Sequence, residues 1–139
     1  MKYITGIHAL NISCDLETCG DWHQSALGWE DLTIGDSSKS VFKDYGIELK
    51  KTIPNHTKTF PVANHIRALL DLLELGKFSV AQGMNKDFVC NDKYDNEIFE
   101  KVLYLRSNEN WKEIDSFMGR EYHGKWLDFK AHSGKLNTE

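Results

Sequence analysis

The segment 19–29, CGDWHQSALGW, places a thiol, a carboxylate and an imidazole very close together in the chain. With Cys14 upstream, the residues Cys14, Cys19 and His23 have the spacing C-x4-C-x3-H, which suggests zinc, a metal that prefers thiolate and imidazole ligands. A fourth ligand would come from elsewhere in the chain: His8, Cys90 or His65. Because C-x4-C is a loose spacing with no second paired motif, the sequence favours partly buried structural cysteines and no cofactor. Zinc remains the alternative.

Asp21 and His23 offer acid–base chemistry, since a carboxylate can hold an imidazole in one tautomer. Two residues at this spacing share a face only in an extended segment. Asp21 also fits the N-cap of a short helix within residues 15–29. Such a helix start would attract an anion and lower the pKa of Cys19, making that thiol a candidate nucleophile. The cap, the acid–base pair and the nucleophile remain open.

A second polar set lies on the clearest helix of the sequence, 62–76. Asn64, Arg67 and Asp71 share one side of it, and His65 and Arg67 lie off the apolar stripe. They form either the wall of a polar groove or a solvated face with an Arg67–Asp71 ion pair, and the solvated face is favoured. Asn64 also fits a cap at the start of this helix.

The four tryptophans divide into two pairs. Trp111 and Trp126 recur at helical spacing with other apolar residues and are expected in the core. Trp22 and Trp29 lie seven residues apart and would share a face on a helix. They are the better candidates for an interface, where tryptophan is enriched.

Hydrophobic periodicity predicts an α+β fold that is mainly helical, with short N-terminal extended segments followed by three or more helices. The predicted elements are a strand in 2–12, interrupted or bulged at Gly6, a short strand within 41–49, and helices over 62–76, 94–107 and 108–129. Gly119 and Gly124 are expected to interrupt the last helix. We expect one globular domain over residues 1–131 and a disordered tail over 132–139.

Composition narrows the function classes. A net charge of −4 disfavours broad nucleic-acid binding, and the longest apolar-rich stretch, 68–75, is too short for a membrane span. The N-terminus has no apolar core of a signal peptide. Together with an odd number of cysteines, this predicts a reducing, cytoplasmic location.

Six blocks spread over nearly the whole chain carry a resemblance: YITGIHALNI, CGDWHQSALGW, DYGIE, VANHIRALLDLL, FSVAQGMNKDFVCND and EIDSFMGREY. They resemble a family of small bacterial proteins without an established activity. Small genes of this kind occur in mobile-element, phage-defence and toxin–antitoxin settings. The resemblance therefore implies a biological context and assigns no cofactor or catalytic residue.

These observations predict a non-catalytic interaction protein, an antitoxin or accessory component that binds a partner protein such as a toxin. Its patch would combine Trp22, His23 and Trp29 with the polar side of the Asn64 helix. One alternative is a small hydrolase or nuclease-like enzyme, with or without zinc, whose site would combine six residues: His8, Cys19, Asp21, His23, His65 and Arg67. Another is a nucleotide or anion binder that uses the segment start near Asp21 together with Arg67. The sequence does not specify an oligomeric state.

Overall fold

The computed structural model describes the backbone of residues 1–22 and 24–137, and the side chains of this range up to residue 133. The protein is α+β and mainly helical, with its short strands in the N-terminal half, which confirms the predicted fold class. The buried apolar side chains of the strands and helices belong to one core cluster. The predicted single domain and disordered tail, residues 132–139, stay predictions, since much of the tail lies outside the described side chains.

Four short strands form a mixed sheet. They are β1 (Lys2–Ile4), β2 (Ile34–Asp36), β3 (Ile47–Lys51) and β4 (Phe60–Ala63). Their spatial order is β2–β1–β4–β3, in which β1 pairs antiparallel with β2 and parallel with β4, and β3 pairs antiparallel with β4. The outermost strands, β2 and β3, are therefore the two edges of the sheet.

The described residues also form six α-helices. They are α1 (Gly6–Leu10), α2 (His65–Glu74), α3 (Phe78–Ala81), α4 (Asp95–Val102), α5 (Trp111–Tyr122) and α6 (Gly124–Asn137). A π-helical turn covers Met84–Val89, and short 3-10 turns cover Gln24–Ala26, Ser37–Lys39, Asp92–Tyr94 and Leu103–Leu105. No helix in the described part of the chain is both long and apolar enough to cross a bilayer.

The first predicted strand is correct only for its beginning. The chain leaves the sheet after Ile4, and Gly6 adopts a φ of +60°, which a residue with a side chain rarely takes. A Cβ at Gly6 would also lie 3.0 Å from the Thr33 methyl group. The break at Gly6 therefore starts α1 where the sequence pattern also allowed a longer strand.

Helix α2 lies at the centre of the protein and confirms the prediction from its apolar stripe. Every residue from His65 to Leu73 is buried, on all sides of the helix. It ends in a Schellman motif, because Gly76 takes a φ of +76° and the Lys77 N–H donates to the Leu72 carbonyl at 2.8 Å. Gly76 thus stops the helix as its position in the sequence predicts.

Two other predicted helices differ from the structure. Only the 3-10 turn Gln24–Ala26 forms within residues 15–29, because Asp21 has a φ of 84° and cannot begin a helix there. The long helix predicted over 108–129 is divided into α5 and α6 at His123, whose φ is 53°. Gly119 stays inside α5.

Candidate functional site

Arg67 and Asp71 are buried, so the predicted solvated face is wrong. Arg67 is 0 % exposed and Asp71 is 4 % exposed. The Arg67 Nε donates to Asp71 Oδ1 at 2.8 Å, and the second carboxylate oxygen accepts hydrogen bonds from Tyr3 and Thr5 at 2.6 and 2.7 Å. The pair joins α2 to β1 inside the core.

The rest of the Arg67 guanidinium holds the segment before β3 in place. It donates to the carbonyls of Lys43 and Tyr45 at 2.7 and 2.6 Å and to the Tyr3 hydroxyl at 2.8 Å. Because each of its three guanidinium nitrogens donates to a protein group, Arg67 has a structural role. Burial and the adjacent Asp71 carboxylate raise the pKa of Tyr3 well above its ordinary value.

Two more predicted site residues have structural partners. Asn64 caps α2, since its Oδ1 accepts the Arg67 backbone N–H at 2.8 Å, which confirms its capping role. His8 is buried, and its Nε2 lies 2.8 Å from the Gly28 carbonyl. Because a carbonyl only accepts, Nε2 carries the proton, and Nδ1 accepts from the Thr33 N–H at 3.2 Å. His8 therefore ties α1 to the segment before β2.

The two N-terminal tryptophans have different environments. Trp29 is 3 % exposed, and its indole N–H donates to the Gln24 carbonyl at 3.0 Å, so the structure places it in the core. Trp22 is 48 % exposed, stacks on Phe88 and donates to the Asp87 carbonyl at 3.2 Å. Trp22 therefore offers surface to a partner and Trp29 does not.

Cys19 is joined to Cys90 in a disulfide, with a Cα–Cα distance of 5.9 Å, which differs from the free cysteines expected in a reducing compartment. In this state Cys19 can neither ligate zinc nor act as a nucleophile, because both roles need a thiolate. His23 lies outside the described residues. No group of three metal-ligating side chains occurs among the residues that the structure describes. Cys14 is the free thiol of the chain.

Cys14, Thr18 and His65 form a hydrogen-bonded relay, which we call the thiol relay. The Cys14 Sγ lies 3.5 Å from the Thr18 hydroxyl, which lies 2.7 Å from His65 Nδ1. The His65 Nε2 lies 2.8 Å from the Ile12 carbonyl and must carry a proton to donate to it. The third residue of the relay, His65, is 2 % exposed, whereas Cys14 is half-buried.

The thiol relay is hydrogen-bonded in two protonation states. In the neutral state the thiol donates to Thr18, and Thr18 donates to Nδ1 of His65. In the charged state His65 Nδ1–H donates to Thr18, and Thr18 donates to the Cys14 thiolate. A proton thus passes from sulfur to imidazole when the Thr18 hydroxyl exchanges its donor direction.

The pKa shifts of both residues move the thiol relay toward the charged state. Burial by itself raises the pKa of Cys14, but hydrogen bonds to His65 and Thr18 and the imidazolium charge outweigh it and bring the pKa below its ordinary value. Burial likewise opposes the charge on His65. The Cys14 thiolate, the Ile12 carbonyl and the negative charge of Asp21 outweigh burial and raise the pKa of His65.

A glycine brings the disulfide beside the thiol relay. A Cβ at Gly20 would lie 2.6 Å from the His65 ring and 2.7 Å from the Leu10 carbonyl, so only glycine fits between them. Cys19 stands between Thr18 and Gly20, both of which contact His65. The sequence pattern groups Cys14 with Cys19 and His23 as zinc ligands. It does not indicate Thr18, since a threonine in a loop carries no chemical signal of its own.

A cleft at the β2 edge is a separate feature that the sequence did not indicate, and we call it the β2 cleft. It has a volume of about 400 Å³ and is lined in part by β2, Asp71 and Glu74. Ile34 and Leu75 line it as well and are 51 % and 63 % exposed. Val41, 42 % exposed, donates its N–H to Glu74 at 3.1 Å. Ile34 and Leu75 form an apolar rim of the cleft, and Val41 lies beside it through its bond to Glu74.

The β2 strand has backbone groups that face away from its neighbour β1. Thr33 and Ser37 each form a backbone hydrogen bond of 2.9 Å to β1 or its flanking residues. In an antiparallel pair, the residues that point toward the neighbouring strand alternate with those that point away. The N–H and C=O groups of Ile34 and Asp36 therefore point outward from the sheet.

Comparisons of this chain with models of protein families, with curated proteins and with solved structures find no match. The thiol relay and the β2 cleft are therefore the two candidate functional sites of this chain.

Proposed function

We propose that this chain is a non-catalytic interaction protein that binds a partner protein at the β2 cleft. The observation that carries the proposal is an edge strand with outward backbone groups beside an exposed apolar rim. An extended peptide segment can add to such an edge through main-chain hydrogen bonds while its side chains enter the adjacent cleft. The fitting occupant is an extended, apolar segment of the partner.

The biological setting belongs to the same proposal. The chain acts in the cytoplasm as the antitoxin or accessory component of a bacterial two-gene module, and its partner is the toxin or effector of that module. The support is the resemblance to small bacterial proteins of such settings. Of the patch predicted from the sequence, Trp29 and Arg67 are buried, Asn64 is a half-buried helix cap and His23 lies outside the described residues, so we take the β2 cleft as the principal surface.

The test is co-expression of this chain with the product of the neighbouring gene, followed by size-exclusion chromatography and a titration of the purified proteins. Ile34→Asp and Leu75→Asp are expected to weaken binding at least about tenfold, as for central apolar contacts. Leu49→Asp is the matched control, because Leu49 is equally exposed, at 62 %, but lies on the opposite edge strand β3. Equal binding by all three variants, or no complex with the wild type, would contradict the proposal.

A second candidate function, a small hydrolase with a thiol nucleophile, is favoured by the thiol relay. It keeps His65 and Asp21 of the predicted catalytic set and replaces Cys19 with Cys14. The test is incubation with an activated ester and mass spectrometry of the acylated protein. Acylation confined to Cys14, followed by turnover and absent in Cys14→Ser, supports the enzyme. Acylation spread over lysines contradicts it.

The structure does not favour the anion-binding alternative. Asp21 has a φ of 84° and begins no helix among the described residues, and Arg67 is buried with each of its guanidinium nitrogens bonded to the protein.

A further inference from the structure

The free thiol and the disulfide belong to neighbouring residues of one loop. Cys14 contacts Thr18, the residue before Cys19, and Gly20, the residue after Cys19, lies against His65. Cys19 and Cys90, which form the disulfide, are both exposed. We propose that this corner is a thiol–disulfide exchange site, in which the Cys14 thiolate attacks the Cys19–Cys90 disulfide.

The exchange balances within the chain. The Cys14 thiolate forms a bond to the Cys19 Sγ, the Cys19–Cys90 bond breaks, and its electron pair leaves on Cys90 as a thiolate. The number of disulfides stays at one, and the free thiol moves from Cys14 to Cys90. No oxidant or reductant is consumed.

We assign the attack to the Cys19 sulfur, because Cys19 follows Thr18, whose hydroxyl lies 3.5 Å from the Cys14 Sγ. The new disulfide would close the short loop 14–19, which the chain already folds back on itself through the Cys14–Thr18 contact. Closing a short loop costs little chain entropy. Cys90 follows the π-helical turn and is exposed, so the thiolate that leaves is accessible to solvent.

The charged groups around Cys14 support a reactive thiol. His65 faces it through Thr18 and supplies a positive charge, and Asp21 acts on His65 from the other side. Asp15, next to Cys14 in the chain, lies 3.8 Å from the Lys51 ammonium, which offsets part of its negative charge. A thiol whose pKa is below the ordinary value has a larger thiolate fraction at neutral pH, and the thiolate is the attacking species.

The exchange has a structural consequence. The disulfide helps to hold the loop around Cys19 against the turn Met84–Val89, together with the Cys19 N–H bond to the Phe88 carbonyl at 2.8 Å. Moving the disulfide to Cys14–Cys19 releases the covalent link between these two segments. Trp22, which stacks on Phe88, lies at the same junction, so the exposed tryptophan would respond to the exchange.

The experiment maps the free thiol before and after the exchange. The oxidised, full-length protein is kept at about pH 4, where thiols are protonated, and is then brought to about pH 8. Samples are quenched in acid, alkylated under denaturing conditions, digested without reduction and analysed by mass spectrometry. We expect alkylated Cys14 to decline while alkylated Cys90 and a Cys14–Cys19 disulfide appear, at a rate independent of protein concentration.

Two variants separate the proposal from a passive disulfide. Cys14→Ser must show no migration of the disulfide. Thr18→Val, a substitution of similar shape outside the core, removes the hydroxyl of the relay; we expect exchange about threefold slower near neutral pH, since a tenfold smaller thiolate fraction is partly offset by higher nucleophilicity. The proposal is overturned if Cys14 remains the alkylated residue after hours at the higher pH, or if exchange proceeds at the wild-type rate in Thr18→Val.

Discussion

Replacing Arg67 with methionine tests how much of the fold depends on one buried guanidinium. Methionine keeps most of the apolar volume and removes the charge and every donor. The substitution leaves the Asp71 carboxylate, 4 % exposed, without its cation, and it leaves the carbonyls of Lys43 and Tyr45 without a donor.

The magnitude follows from these losses. Removing one partner of a buried ion pair costs about 3–5 kcal/mol, because the remaining charge stays buried. Each unsatisfied buried carbonyl adds about 1 kcal/mol, less whatever water restores. We therefore expect the free energy of unfolding to fall by about 4–6 kcal/mol, a large part of the roughly 5–15 kcal/mol that a domain possesses.

Urea unfolding followed by circular dichroism provides the assay. With a denaturant slope of about 2 kcal/mol/M, the midpoint should fall by about 2–3 M, or the variant should be unfolded without urea. Arg106→Met is the matched control, since Arg106 is exposed and donates only to the Leu103 carbonyl. The double variant Arg67→Met/Asp71→Leu should recover part of the loss because it removes the orphaned charge. A loss below about 1 kcal/mol for Arg67→Met, equal to that of Arg106→Met, would refute the reasoning.

Three further predictions follow from local geometry. Asn64→Ala removes the N-cap of α2 and should lower the free energy of unfolding by about 1 kcal/mol in the same urea assay, with Asn64→Asp close to wild type. Gly119→Ala should stabilise the protein by up to about 1 kcal/mol, because a Cβ there meets nothing within 4 Å. Gly46→Ala should destabilise it, since Gly46 has a φ of +72° and its Cβ would lie 2.8 Å from the buried Arg67 side chain. The reverse order of the two glycine variants in thermal melts would contradict this. The alkylation rate of Cys14 against pH should have its midpoint below the ordinary thiol value of about 8.5, and a midpoint at or above it would count against the thiol relay.

The raised pKa of His65 also links the thiol relay to stability. A group whose pKa is higher in the folded state stabilises the fold fully below its unfolded pKa, about 6.5 for histidine, and loses that contribution as the pH rises through the folded pKa. The lowered pKa of Cys14 acts in the opposite direction, contributing above its unfolded pKa and losing that contribution as the pH falls. Because each shift depends on the charge of the other residue, both contributions are present together only where Cys14 is a thiolate and His65 is an imidazolium. The urea midpoints of the wild type and Thr18→Val should therefore differ most in that pH interval.

The local signals in the sequence were sufficient for α2. Its apolar stripe, the Asn64 cap and the Gly76 stop all act within a few residues of one another, and the structure contains all three. The beginning of β1 was predicted for the same reason. Its end was not, because the turn at Gly6 depends on contact with Thr33, which is distant in the sequence.

The burial of Arg67 shows what local patterns miss. An arginine and an aspartate at i, i+4 are typical of a solvated helix face. Here the carbonyls before β3 and the Tyr3 hydroxyl complete the shell of Arg67, and those partners lie more than 20 residues away in the chain. The thiol relay also depends on residues that are distant in the sequence, since Thr18 and His65 are separated by 47 residues.

The Cys19–Cys90 disulfide also limits the conformations that the unfolded chain can adopt. It closes a ring across a sequence separation of 71 residues, and such a ring lowers the entropy of the unfolded chain by an amount worth about 4 kcal/mol. A ring closed between Cys14 and Cys19 would be worth only about 2 kcal/mol. Ring-closure entropy in the unfolded chain therefore favours the small ring. Unfolding where thiolates are present would move the disulfide further toward Cys14–Cys19, so the position of a single covalent bond depends on whether the molecule has been unfolded as well as on the pH.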